Sequence, residues 1–88
     1  MLIYFYMNIK VLSNKKRLGL IVCLANPHNV TQLLKVCDLS QSALSQHLAL
    51  LKQEEIVDCV RVGNQQIYHL KNKKILSIAK ALLQLENN

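Results

Sequence analysis

The fold is decided by residues 40–51, SQSALSQHLALL, which carry the pattern of an amphipathic helix. Three leucines recur along this segment at intervals of four and three residues, so they share one face and form a buried stripe. They are Leu44, Leu48 and Leu51. Ser40 provides an N-cap side chain, and the helix is predicted to continue to about Glu54. Polar side chains are left on the opposite face.

A shorter helix precedes this segment and a β-hairpin follows it. Asn29 can begin the shorter helix, with Gln32 three residues later as in a capping box. Residues 56–62, IVDCVRV, are rich in β-branched residues, and Gly63-Asn64 then leads into a returning strand, QQIYHL. The order short helix, turn, longer helix and hairpin predicts a winged helix-turn-helix.

Two helices flank this core motif. Ser13 or Asn14 can cap a helix that stops before Pro27, because the residue before a proline disfavours helical backbone. Asn72 caps a terminal helix, and the apolar residues 1–12 are interpreted as a further short helix. The expected fold class is therefore mainly α with a small β-hairpin, in the order α-α-α-α-β-β-α.

Length and composition limit the class of protein. The 88 residues leave room for one domain, residues 1–88, and a hydrophobic content of 51% with 18% charged residues is typical of a folded chain. Eleven Lys and Arg against five Asp and Glu give a net charge of +6, which favours nucleic acid as the partner. No catalytic triad, carboxylate pair or glycine-rich phosphate loop is evident, so we expect no enzyme.

The opening residues MLIYFYM do not predict a membrane anchor. They form an apolar run far shorter than the roughly 20 residues that span a bilayer. No basic segment precedes them and no small-residue cleavage site follows, as an export signal would require. We expect neither export nor membrane association.

The polar face of the 40–51 helix is the candidate contact with double-stranded DNA. The second helix of a helix-turn-helix enters the major groove, where its N-terminal residues reach base edges. The residues expected there are Ser40, Gln41, Ser42, Ser45, Gln46 and His47. The hairpin is expected to reach the flanking backbone or minor groove through Arg61, Asn64 and Gln65. The alternative for each is an ordinary solvated side chain, and the basic, winged context favours DNA.

The terminal helix has more apolar surface than one small core can cover. Such a helix favours a partner, and a second copy of the chain is the simplest one. The predicted dimer interface consists of Ile75, Ile78, Ala79, Leu82 and Leu85.

Three segments of the chain resemble the ArsR/SmtB winged-helix repressors. They are NKKRLGLIVCL, DLSQSALSQHLALLKQEEIV and RVGNQQIYHL, and the likeness covers about residues 10–86. Within the family the chain looks most similar to thiol-based sulfur and redox regulators and to virulence regulators. The resemblance implies a homodimer, built from the first and last helices, that represses by binding an imperfect inverted repeat in a promoter.

The metal sites of that family have no counterpart here. Metal-sensing branches place a Cys-x-Cys pair where this chain has Asn29, Val30 and Thr31, and residues 73–86 contain no His, Cys or Asp. We therefore expect no metal, no cofactor and no release of DNA by zinc, and the sequence identifies no inducer.

The cysteines give a weaker indication. The thiol-switch branch pairs a cysteine before the helix-turn-helix with one in the terminal helix, and Cys23 matches only the first place. Cys23 is a candidate thiol sensor, with core packing as the alternative, but a mild oxidant is not expected to release DNA in the family's usual manner. Cys23, Cys37 and Cys59 are odd in number and predict no disulfide framework, which favours a reducing cytoplasm.

Two other classes of function compete with DNA binding. One is a winged-helix protein-interaction module that has lost DNA binding, which would not need a charge of +6. The other is a basic amphipathic protein that lies on a membrane surface. The hairpin and the capped short helices favour a closed fold instead.

Overall fold

The computed structural model describes residues 10–86 and contains four helices and a two-stranded hairpin. The elements are α1 (Lys15–Cys23), α2 (Val30–Val36), α3 (Gln41–Gln53), β1 (Val57–Val62), β2 (Gln65–Leu70) and α4 (Lys74–Glu86). The predicted fold class is confirmed. The helix expected within residues 1–12 lies mostly outside the described residues.

Side-chain caps begin both helices of the helix-turn-helix, as predicted. The Asn29 Oδ1 accepts from the Gln32 backbone N–H and the Gln32 Oε1 accepts from the Asn29 N–H, both at 2.8 Å. The Ser40 Oγ accepts from the Ala43 N–H at 3.1 Å. Because these bonds satisfy amide groups that a helix start leaves unpaired, they fix where α2 and α3 begin.

The flanking helices begin as expected too. Asn14, rather than Ser13, caps α1 by accepting from the Arg17 N–H at 3.0 Å. The Asn72 Oδ1 accepts from the Lys74 N–H at 3.0 Å at the start of α4. The two helices pack against each other and close one side of the domain.

One apolar core joins all the elements. Its largest fully buried side chains are Leu18, Leu20, Ile21, Leu24, Leu33, Leu44, Leu51 and Val57. Ala79 of α4 is also fully buried. The three leucines predicted as the stripe of α3 are at most 3% exposed, so this stripe anchors α3 to the rest of the domain.

The end of α3 is fixed by a left-handed residue. Glu55 has φ 61°, and the Ile56 N–H donates to the Leu51 carbonyl at 2.9 Å. The Glu55 N–H donates to the Lys52 carbonyl at 3.1 Å, which completes a Schellman motif. Its turn directs the chain from α3 straight into β1.

The hairpin forms the wing. The strands β1 and β2 are antiparallel, with Val57 opposite Leu70 and Val62 opposite Gln65. Gly63 has φ 64° at the first central position of the two-residue turn, where a positive φ favours glycine. The base of the hairpin is buried and its tip is exposed, so the wing projects from the core.

The sequence predicted no disulfide framework, whereas the structure contains one disulfide. Cys23 at the end of α1 and Cys37 at the end of α2 form it, with a sequence separation of 14 residues and Cα atoms 6.5 Å apart. The spacing carried no signal because only the complete fold brings the end of α1 beside the end of α2. Cys59 is free.

Candidate nucleic-acid interface

The outer face of α3 presents polar side chains with no internal role. Gln41, Ser42, Ser45 and Gln46 are all exposed, and none of their side chains hydrogen-bonds to another residue of the range 10–86. The leucine stripe holds the opposite face, so this polar face cannot turn inward. Their donors and acceptors are therefore free for a ligand outside the chain.

The start of α3 suits an anion. No acidic residue lies in its first turn, and its unpaired backbone N–H groups carry the positive end of the helix dipole. The exposed Ser40 uses its Oγ lone pair for the cap, but its hydroxyl hydrogen can still donate. A DNA phosphate fits this end of the helix.

His47 lies at the flank of α3 rather than on its outer face. It is half-buried, and its pKa is lowered, first by burial and then by the positive charge of Arg17 on α1. Arg17 is itself held by donating its Nε–H to the Val11 carbonyl at 2.8 Å. The neutral ring of His47 thus borders the polar face from the side of α1.

The wing carries the other predicted contacts. Arg61 and Asn64 are exposed, and the Arg61 Nε–H donates to the Gly63 carbonyl at 3.2 Å, so the guanidinium lies along the wing tip. Gln65 is exposed, but its Oε1 accepts from the Asn29 Nδ2 at 3.1 Å. The structure therefore brings the wing tip to the start of α2.

The attachment of the wing was not visible in the sequence. His28, which follows Pro27, forms an antiparallel bridge with Tyr68 of β2, with N···O distances of 3.0 and 2.8 Å. A surface recess of about 230 Å³ lies between the start of α2 and the wing tip, and Thr31 and Asn64 both line it. Only the Asn-Pro-His loop before α2 could have suggested this pairing.

The helix α4 presents a second exposed face, and this one is apolar. Ile78 and Leu85 are 48% and 71% exposed, whereas Ile75 and Leu82 are half-buried. These four follow one another at intervals of three, four and three residues, which forms a single stripe along the helix. Ala79, the fifth predicted interface residue, is placed in the core of the chain itself.

Neither a metal-binding cluster nor a membrane-spanning helix occurs in the part of the chain that the structure describes. Residues 10–86 contain no group of three or more His, Cys, Asp or Glu side chains that could hold a metal ion. Within the same residues, no helix has the length and apolar character needed to cross a membrane.

The fold and the polar face of α3 define a winged helix-turn-helix regulator. Residues 14–58 match the sequence model of the bacterial regulatory protein, arsR family. The chain belongs to this family, as the resemblance implied.

Relatives in bacteria agree with this assignment. The HTH-type transcriptional regulator YgaV of Escherichia coli K12 is 35% identical over 77 residues, which cover 84% of this chain and 77% of YgaV. The transcriptional activator HlyU of Vibrio cholerae is 32% identical over 78 residues, which cover 88% of this chain and 72% of HlyU.

A solved structure shows the same architecture. The transcriptional repressor PagR of Bacillus anthracis superposes with a TM-score of 0.81 and 29% identity, over 92% of this chain and 94% of that one. The chain is therefore a transcriptional regulator with a winged helix-turn-helix domain. Membership of this family of regulators confirms the prediction that it is not an enzyme.

Proposed function

We propose that the chain is a cytoplasmic, homodimeric repressor that binds an inverted repeat in double-stranded DNA. In this proposal α3 enters the major groove of each half-site, and the wing contacts the flanking backbone or minor groove. The observation that carries it is the exposed polar face of α3, whose side chains make no hydrogen bond within the described residues. No metal or other cofactor takes part.

Base readout would come from the first two turns of α3. A glutamine side chain can bond an adenine edge through two hydrogen bonds, and serine can donate to or accept from any base. Gln46 and Ser42 lie one turn apart on the outer face, while Gln41 and Ser45 flank them. His47, with its ring turned towards α1, is assigned a weaker contact at the edge of this surface.

Backbone contacts would come from Ser40 and from the wing. The Gly63 carbonyl holds only the Arg61 Nε–H, so the two Nη groups can donate charge-assisted bonds to a phosphate or a minor-groove acceptor. Asn64 adds an uncharged donor at the wing tip. The Asn29 to Gln65 bond limits how far the wing can move, so α3 and the wing would meet DNA as one surface.

The apolar stripe of α4 supports the dimer. Its intervals of three and four residues match the seam by which two helices pack side by side. Ala79 borders this stripe on the side where α4 packs against α1, and it is fully buried, while Ile75 and Leu82 also pack partly against the core. One side of α4 is thus used within the chain, and we assign the other to the second copy.

Repression is proposed because occupancy of a promoter by a compact dimer excludes other proteins from it. Two relatives differ in this respect, since PagR is named a repressor and HlyU an activator. Which effect results depends on where the inverted repeat lies relative to the promoter.

Selection of bound duplexes from random DNA tests the proposal. The expected result is a two-fold symmetric motif whose affinity falls steeply with salt, because bound phosphates release counterions. A featureless pool of recovered sequences, together with affinity that is unchanged between low and moderate salt, would instead favour the protein-interaction module.

A further inference from the structure

The disulfide joins the ends of α1 and α2, next to the turn that leads into α3. Cys37 is the C-cap residue of α2 and is followed at once by the turn, Asp38 and Leu39, that leads into α3. Cys23 is the last residue of α1, the helix that packs against α4. The bond therefore ties the body that carries the proposed dimer stripe to the turn before α3.

A second contact runs in parallel with the disulfide. The Lys16 Nζ donates to the Asp38 carbonyl at 3.4 Å and lies 4.0 Å from the Asp38 carboxylate. Both partners are exposed, so this ion pair contributes little by itself. The covalent bond is the connection that can hold the turn against α1.

The two sulfur-bearing residues differ in access. Cys37 is only 8% exposed, whereas Cys23 is half-buried. Both line a surface cavity of about 370 Å³, together with Lys15 and Lys16. A small reagent can enter this cavity, and the charged part of its lining, Lys15 and Lys16 against Asp38, carries a net positive charge that favours an anionic one. Cys23 is the residue that such a reagent meets first.

We propose that Cys23 and Cys37 form a reversible thiol–disulfide site that stabilises the helix-turn-helix when it is oxidised. The oxidant is an anionic low-molecular-weight disulfide of the glutathione class. Reversibility rests on the proposed function, because a protein that acts on DNA in the cytoplasm meets a reducing thiol pool, in which disulfides are rare and transient.

The chemistry is two successive thiol–disulfide exchanges. The Cys23 thiolate attacks one sulfur of the small disulfide, forms a mixed disulfide and releases one thiol. The Cys37 thiolate then attacks the Cys23 sulfur, which forms the protein disulfide and releases the second thiol. Two protein thiols are oxidised, one small disulfide is reduced to two thiols, and the two protons pass to the released thiolates.

The benefit of the bond is conformational. It closes a loop between residues separated by 14 positions, which restricts the unfolded chain. For a domain of this size we expect oxidation to raise the midpoint of thermal unfolding by about 10 °C or more. The stability of the DNA-reading unit would then depend on the thiol redox state of the cell.

The site can be tested without DNA, so its failure is distinguishable from failure of the proposed function. The full chain is equilibrated in buffers of fixed reduced-to-oxidised glutathione ratio, free thiols are blocked with a maleimide, and the intact mass is measured. The expected oxidised product is a single chain with one tag, located on Cys59. The midpoint of thermal unfolding of this oxidised chain should exceed that of the reduced parent. Both samples have the same sequence, so no substitution affects the comparison.

Three variants assign the steps. Cys59→Ser should form the bond as the parent does, and it serves as the matched control. Cys37→Ala should accumulate a glutathione adduct on Cys23, whereas Cys23→Ala should form far less adduct on the buried Cys37. Circular dichroism of each reduced variant checks that it is folded.

Three results would overturn the proposal. One is a chain that carries three maleimide tags at every glutathione ratio, which would mean that no disulfide forms. Another is a bond that includes Cys59 or a second chain. The third is equal unfolding midpoints for the oxidised and reduced parent.

Discussion

The helices α3 and α4 are built alike but expose opposite chemistry. Each has 13 residues and buries one face in the same core. The outer face of α3 is polar, whereas that of α4 includes Ile78 and Leu85, which are 48% and 71% exposed. A polar face without internal partners suits a ligand that offers hydrogen bonds, and an apolar face suits a protein surface that excludes water.

The largest effect should come from removing the anchor of α3. Leu44→Ala deletes a fully buried side chain from the leucine stripe, so the free energy of unfolding should fall by about 2 to 5 kcal/mol. Urea unfolding measures this. Val36→Ala, at a position that is 57% exposed, is the control and should change it by less than about 0.5 kcal/mol. Equal losses in both variants would mean that the stripe does not anchor α3.

The next effect tests α4 as a dimer surface. Leu85→Glu places a charge on the most exposed residue of the stripe, near the C-terminal end of α4, so light scattering should show a monomer. Operator affinity should fall by about 100-fold or more, because the two half-sites are no longer bound as a unit.

Gln84→Glu adds the same charge one residue away, on the polar side of α4, and is the matched control. It should leave the dimer intact. A dimer that survives Leu85→Glu, or dissociates equally in both variants, would contradict the assignment of this stripe.

A smaller effect distinguishes the two ends of α3. Gln46→Ala should cost about 1 to 3 kcal/mol on the selected site and much less on random DNA, because a base contact is lost. Gln53→Ala removes the same side chain from an exposed position at the far end of α3 and should change neither affinity. Fluorescence anisotropy with both duplexes gives the ratio of affinity for the selected site to affinity for random DNA. Base readout from the start of α3 would be refuted by equal losses in the two variants.

The smallest effect concerns the flank of α3. Burial lowers the pKa of His47 below its ordinary value of 6.5, so the unfolded state binds more protons and stability falls as the pH drops below about 6.5. His47→Gln should remove this part of the pH dependence and alter operator affinity by less than about twofold. Unfolding measured from about pH 7 to pH 5 tests it. If the free energy of unfolding depends on pH equally in parent and variant, His47 does not contribute to that dependence.

The parts of the fold that were predictable are those with local causes. Asn29 with Gln32, Ser40 as a cap, and Gly63 in its turn each act within a few residues, so their sequence signals determine the structure directly. The spacing of the leucines in α3, at intervals of four and three residues, likewise predicted its buried face. These features place the polar face of α3, which is the main part of the candidate site.

The features that were missed depend on contacts between distant residues. The Cys23–Cys37 bond and the His28–Tyr68 bridge form only after the helices have packed, and no short motif encodes either. Ala79 was assigned to the dimer face because α4 is apolar on more than one side. Periodicity alone does not tell which side packs against α1.

Interference by methylation of the operator tests the central claim most directly. Dimethyl sulfate methylates guanine in the major groove and adenine in the minor groove, so one experiment reports on both. If α3 reads the major groove, guanine methylation should block binding in two half-sites whose centres are about one helical turn apart, or a multiple of it. Adenine methylation should interfere only at the flanks, where the wing lies. Interference confined to the minor groove, or none in the half-sites, would contradict the proposed docking of α3.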